Sequence, residues 1–307
     1  MKSTGPNPAT FSFLRMATSC GLTNTVAANF MVKMIETTQS GDSMGALAVP
    51  EFTTIVALDP EHLWEFEQTW PTWRAFKPEI LANPMMLLLD ANIPRLWWKR
   101  HLDGFYDHPN FEMAWVVDTP SWSQRERMLT AMVAVTRSLT TPFYLKIDTD
   151  CVAMGPGEWI RPWWFDHGHK PVLIAPPWSY TKPADAIYRL DNWADGVPGL
   201  AEHERLDKRL KIRYRPSSRL VKHRRIISYV MFGRTDWTAE MSRLAGERLP
   251  VPSQDTYLWY CAERRQDFYR VTKIPGWKHC HGLTRIQHVA KTVLKHYCSP
   301  AGNEQKA

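Results

Sequence analysis

Asp148-Thr-Asp150 places two carboxylates two residues apart, directly after the apolar run Pro142-Phe-Tyr-Leu-Lys-Ile147. At a strand end, such a pair can serve one divalent cation, one acid directly and the other from the far side or through water. Hard oxygen ligands suit Mg²⁺ or Mn²⁺. That cation would bridge a diphosphate and neutralise charge on a departing group. Most D-x-D triplets are solvated turns; this one gains weight from the strand before it. A second group is Gly276-Trp-Lys-His279-Cys-His281-Gly282. Histidine is a frequent metal ligand, and a basic surface loop is the competing reading. Zinc would need a fourth ligand at suitable spacing, and none is near. Lys278 in the same stretch could instead contact a diphosphate. A third group is charge: residues 205–225 hold ten Lys and Arg against one acid, Asp207, more positive charge than the whole chain's +7. Alternation in Lys211-Ile-Arg-Tyr-Arg215 would set Lys211, Arg213 and Arg215 on one strand face. Charge runs are usually solvated faces. This concentration is better explained by an anionic partner, a DNA backbone or a phosphorylated glycan, met through Arg213, Arg215, Lys222, Arg224 and Arg225.

The elements that must position these residues are legible as alternating patterns. Phe52–Leu58, Met85–Leu89, Ala114–Val117 and Pro142–Ile147 read as buried strands, and each ends at an aspartate: Asp59, Asp90, Asp118 and Asp148. Between them, Glu61–Phe76 has helical spacing that Pro71 should kink or end. Trp97–Leu102 looks like part of a helix, and Arg125–Leu139 carries the clearest apolar stripe. Strand and helix in alternation predict an α/β layer with a largely parallel sheet, whose ligands sit at the carboxyl ends of the strands. The four aspartates would then form a polar rim. Beyond them, Pro171–Ala175 and Ile226–Phe232 read as strands, the second closed by Gly233. Thr256–Glu263 reads as a short helix capped by Ser253 or Asp255, Gly276–Gly282 as a loop, and His288–Lys295 as a terminal helix.

Composition sets the limits. The chain has 307 residues, 44% apolar and 22% charged, which excludes disorder over its whole length. No apolar run approaches the roughly 18–20 residues that cross a bilayer, and the first residues lack the apolar core of a signal peptide. Five scattered cysteines without a CxxC fit a reducing compartment, so a cytoplasmic location is expected. Residues 1–50, poor in charge, read as a flexible N-terminal appendage with a weak helical pattern over Thr25–Ile35, and 299–307 as a tail. The 15 tryptophans are mostly packing; Trp97-Trp98 and Trp163-Trp164 could also offer stacking platforms.

In order and kind of element, Phe52–Asp59, Trp70-Pro-Thr-Trp-Arg-Ala-Phe-Lys-Pro78, Met85–Asp90, Arg125–Leu139 and Phe143–Asp150 resemble the donor half of GT-A glycosyltransferases. The resemblance covers roughly residues 52–155. It implies a GT-A-like (Rossmann-like) mixed, mostly parallel central sheet flanked by helices, with a donor half over 51–155 and an acceptor-binding and catalytic half over 156–298. It further implies that Asp148 and Asp150 hold the diphosphate of a nucleotide-sugar donor through Mn²⁺ or Mg²⁺, with His281 as a further ligand. Leu58 and Asp59 would lie near base and ribose. Asp118 with Arg125 or Arg127 would flank the nucleotide, and Asp90, Lys146 and Lys278 would belong to the same rim. Asp255, in a stretch where inverting members often carry Glu-Asp, would be the general base on the acceptor hydroxyl; Gln254 in place of the first acid makes that match partial. The acceptor would be a glycan or cell-envelope sugar, or alternatively a hydroxymethylated base in DNA. Metal-dependent nucleotidyl transfer and a non-catalytic nucleic-acid-binding module are the readings from other classes. The absence of a Walker-type glycine loop weakens ATPase chemistry.

Overall fold

The structure, a computed structural model, describes residues 49–102, 111–116, 123–165, 170–177, 226–246, 249 and 254–298. The Thr25–Ile35 pattern, Asp118, the basic segment 205–225 and the tail 299–307 lie outside the described residues.

Strands β1 (Phe52–Leu58), β2 (Met85–Asp90), β3 (Phe111–Val116) and β4 (Phe143–Ile147) alternate with helices α1 (Pro60–Phe76), α2 (Pro78–Ala82), α3 (Arg95–His101) and α4 (Gln124–Ala134). Then come β5 (Cys151–Ala153), β6 (Leu173–Ala175), β7 (Val230–Arg234), α5 (Thr235–Ala245), α6 (Gln254–Arg265), β8 (Arg270–Val271), β9 (Trp277–His279) and α7 (Leu283–Cys298). Seven strands form one sheet in the order β3-β2-β1-β4-β7-β6-β8. β3, β2, β1 and β4 run parallel, as do β6 and β8, whereas β7 is antiparallel to β4 and β6. The sheet is therefore mixed and mostly parallel, with helices on both faces. β5 and β9 pair antiparallel as a separate ribbon. Among the described residues, no helix is long and apolar enough to cross a membrane.

Period-two alternation sorts the core into two layers. Phe52, Val56, Leu58, Leu87, Leu89, Leu145, Ile147 and Phe232 face one layer, built with Phe66, Trp70 and Trp73 of α1 and Ile286 and Val289 of α7. Ile55, Met86, Leu88, Tyr144 and Met231 face the other, with Met128 and Met132 of α4, Trp237 of α5 and Tyr257 of α6. Burying both faces requires the near-continuous apolar runs seen in the sequence.

Several boundaries differ from expectation, four of them instructively. Pro71 neither ends nor divides α1, which runs from Pro60 to Phe76; the buried rings at positions 66, 70, 73 and 76 hold the helix on the sheet through the missing N–H. The second-half strand begins at Val230 and runs through Gly233 rather than stopping there, leaving Ile226 in an isolated bridge to Pro177. Gly233 is inside because the buried Tyr144 ring crosses its α-carbon: an added Cβ would lie 2.3 Å from the phenol. The stretch Gly276–Gly282 contains β9, not a loop alone, and the terminal helix is longer than expected, Leu283–Cys298.

Candidate active site

The carboxyl end of β4 delivers Asp148 and Asp150 into a tight turn. The Asp148 N–H donates to the Tyr229 carbonyl (2.8 Å), and the Cys151 N–H to the Asp148 carbonyl (3.1 Å). The two acids then part company. Asp148 pairs with Lys146, whose buried Nζ also donates to the Ser228 carbonyl (2.6 Å) and Oγ (3.1 Å). Ser228 Oγ is in turn 3.4 Å from Gln254 Nε2 at the start of α6. One polar chain, Asp148–Lys146–Ser228–Gln254, therefore joins the D-x-D turn to the residue beside Asp255, itself 7% exposed.

Asp150 faces the ribbon. Its carbonyl accepts from the Cys280 N–H (3.0 Å), and β9 lies in register with β5, His279 opposite Cys151. This puts His279 Nε2 3.0 Å and His281 Nδ1 3.9 Å from Asp150 Oδ2. One ligand atom from each of the three residues falls within 4.8 Å of the others. His279 is stacked on Tyr229 (5.1 Å between centroids, 6° between planes) and meets the His281 ring edge-on. Burial would lower its pKa, but the hydrogen bond and charge of Asp150, with the charge of Asp148, raise it. The remaining Asp150 oxygen, Oδ1, is buried without a hydrogen-bond partner among the described residues. A buried carboxylate oxygen left unpaired is costly. One carboxylate and two imidazoles gathered this closely fit a divalent cation.

α1 closes the other side. Asp59 caps it, accepting from the His62 N–H (2.8 Å) and lying 2.7 Å from His62 Nδ1. That bond raises the His62 pKa to about 8 against the opposing effect of burial. Burial pushes Asp59 up, and the several bonds from His62 outweigh it, so Asp59 is lowered. One turn on, Glu65 accepts from Thr149 Oγ1 (2.6 Å); burial raises its pKa despite that bond. The His62 charge favours the folded state fully below about pH 6.5, its ordinary value, and the contribution fades as pH rises through about 8. The stability difference between the native chain and His62→Gln should therefore be larger near pH 6 than near pH 9, by roughly 1 kcal/mol or less for so exposed a pair. Urea titrations across that range would show it, and a difference independent of pH would deny the pairing.

Several expected site residues stand elsewhere. The Leu58 side chain is 0% exposed and belongs to the core. Asp90 and Arg127 are both buried and lie 3.6 Å apart, with Asp90 also accepting from the Asn92 N–H (3.0 Å); they brace β2 against α4 rather than line a rim. Lys146 is engaged internally, as described. Arg125 is exposed in the first turn of α4. Lys278 alternates with His279 on β9 and so points to the opposite face of the ribbon. Of the two histidines, His281 was the expected ligand, yet His279 is nearer to Asp150. Glu65 and His62 were missed; their spacing after Asp59, one helical turn and then another, was the available signal.

No family model and no curated relative matches the sequence. Among solved structures, the chain is similar to the bifunctional glycosyltransferase WbbM (11% identity, 91% of this chain and 62% of that one, TM-score 0.44). It is also similar to mouse xyloside xylosyltransferase 1 (12%, 73% and 86%, 0.41). A third is the Pyrobaculum calidifontis mannosyltransferase PcManGT in complex with GDP-Man and Mn²⁺ (12%, 81% and 64%, 0.40). The chain spans less than two thirds of WbbM and of PcManGT. At such TM-scores these likenesses decide nothing about the chemistry, which rests on the residues.

Proposed function

We propose that this chain is a metal-dependent glycosyltransferase that moves a sugar from a nucleotide-diphosphate sugar to an acceptor hydroxyl, with inversion. The observation that carries the reading is the convergence of Asp150, His279 and His281 on one point beyond the carboxyl end of β4, joined by hydrogen bonds through Asp148, Lys146, Ser228 and Gln254 to the helix that bears Asp255. Asp150, His279 and His281 would hold Mn²⁺ or Mg²⁺; such a cation supplies charge stabilisation for a departing nucleoside diphosphate. Lys146 fixes the Asp148 carboxylate and is itself fixed by Ser228, so the turn keeps its shape in a low-dielectric setting. Asp255 takes the proton of the acceptor hydroxyl as that oxygen attacks the anomeric carbon. In this reading residues 51–155 form the donor half and 156–298 the acceptor half.

A glycan or cell-envelope sugar is the proposed acceptor. The basic segment, with Arg213, Arg215, Lys222, Arg224 and Arg225, favours one that bears negative charge. DNA carrying hydroxymethylated bases is the second reading, and affinity for duplex DNA that falls steeply with salt would select it.

The first test is a thermal-shift panel of nucleoside diphosphates with and without Mn²⁺. One nucleotide, in the presence of cation, should stabilise the protein by about 2.7 kcal/mol at a hundredfold excess over its Kd, several degrees in melting temperature. Shifts that ignore both base and cation would remove the proposal. Release of pyrophosphate rather than nucleoside diphosphate during turnover would mark a nucleotidyltransferase instead.

A further inference from the structure

The segment from Asp148 to Gly155 runs alongside α1, and α1 reaches it with a side chain at almost every turn. Glu65 accepts from Thr149 Oγ1 (2.6 Å), and Thr69 Oγ1 donates to the Thr149 carbonyl (2.8 Å). Trp73 Nε1 donates to the Cys151 carbonyl (2.6 Å), and Thr72 Oγ1 accepts from the Ala153 N–H (3.1 Å). At the helix end, Lys77 Nζ donates to the Gly155 carbonyl (3.2 Å). Thr69, Thr72 and Trp73 are 0% exposed, so water does not compete for these bonds. Helical periodicity explains the spacing: positions 65, 69, 72 and 73 share one face.

The grip tightens at Thr149, the residue between the two acids. It is held twice, through its hydroxyl by Glu65 and through its carbonyl by Thr69, while its neighbours are held by backbone bonds from Asp148 to Tyr229 and from Cys280 to Asp150. With both peptide planes around residue 149 fixed, the direction in which Asp150 leaves the chain is fixed as well. Placing an acid at position 65 carries a cost, since the Asp150 charge adds to the burial that raises its pKa. A helix chosen for packing alone would not need one there.

Resting on the function proposed above, we infer that Glu65 and Thr149 are positioning residues for the cation, a polar seam between α1 and the D-x-D turn that aims Asp150 at His279 and His281. Neither touches the cation or substrate; each acts through the Asp150 backbone. Outer partners of this kind typically contribute about 10- to 100-fold to metal affinity.

The test is Mn²⁺ binding to the full chain, without nucleotide, by titration calorimetry, with melting temperature measured in parallel. Glu65→Ala and Thr149→Val should weaken binding by about 10- to 100-fold, while Glu65→Gln and Thr149→Ser, which keep the bond, stay within about threefold of the native chain. Thr141→Val is the control. It removes a buried hydroxyl bonded to Thr53 (2.8 Å) and to the Phe143 carbonyl (2.8 Å) at the opposite end of β4. It should lower the melting temperature and leave Mn²⁺ affinity unchanged. If the native chain binds Mn²⁺ and Asp150→Ala does not, but Glu65→Ala and Thr149→Val bind like the native chain, the positioning role is wrong and the cation site stands. Weakening by Thr141→Val equal to that by Thr149→Val would reduce the seam to ordinary stability and overturn the inference. No binding by the native chain would overturn both it and the cation reading beneath it.

Discussion

Asp150→Ala is expected to abolish measurable Mn²⁺ binding and to reduce sugar transfer on the order of a thousandfold, about 4 kcal/mol of transition-state stabilisation. The size follows from where Asp150 sits. It is the only carboxylate among the three converging residues, 13% exposed, with one oxygen toward His279 and the other unpaired among the described residues. Without it, two imidazoles remain to hold a dication with no carboxylate among the three ligands. Asp148→Ala should behave differently. That acid is spoken for by Lys146, and its loss leaves a buried ammonium bonded only to Ser228. Its signature should be lost stability together with a smaller loss of cation affinity. Calorimetry with Mn²⁺ and a nucleotide-sugar hydrolysis assay on both variants separate the two acids. Equal, mild effects from both would mean that the cation, if any, is held elsewhere.

Asp255→Asn should lower kcat for transfer by about 10²- to 10⁴-fold, because the amide keeps the shape of the acid but cannot take a proton. Cation affinity and donor KM should scarcely change, since Gln254, Ser228 and Lys146 stand between the start of α6 and the D-x-D turn. Asp255 lies inside the first turn of α6 rather than at its cap, where losing the charge costs about 1 kcal/mol or less, so α6 should remain folded and the melting temperature close to native. Steady-state kinetics with a fixed acceptor would decide it. Transfer within tenfold of native would assign the proton to another group and return Asp255 to a helix-start role.

Much of the frame could be read in advance because burial on two faces demands long apolar runs, and these survive in the sequence whatever surrounds them. The carboxyl-end rim was only half right for a related reason. All four runs do end at acids, but a strand-end acid meets whatever the next helix brings. Asp59 met its own helix N-terminus and His62; Asp90 met Arg127 from a helix more than thirty residues on. Asp118 lies outside the described residues; Asp148 met Lys146, and Asp150 met His279 and His281. His279 stands beside His281 at Asp150 because pairing of β9 with β5 swings the 279 side chain onto the D-x-D turn, an alternation that a loop over Gly276–Gly282 would not impose. The Glu65–Thr149 bond spans 84 residues of sequence, and no local pattern announces a partner so distant. Pro71 misled in the opposite direction: a local rule overruled by packing.

The two-stranded ribbon has a consequence for how this region can vary. Pairing sets His279 against Cys151 and Trp277 against Ala153, and side chains alternate from face to face along a strand. Slipping the pairing by a single position would send His279 to the back of the ribbon and bring Lys278 to its front, replacing a ligand with a repelling ammonium. The connection between β8 and β9 holds that register from one side, with Ile274 buried in the core and the Gly276 carbonyl accepting from the Met154 N–H (2.9 Å). Within the three paired positions, change comes only in steps of two.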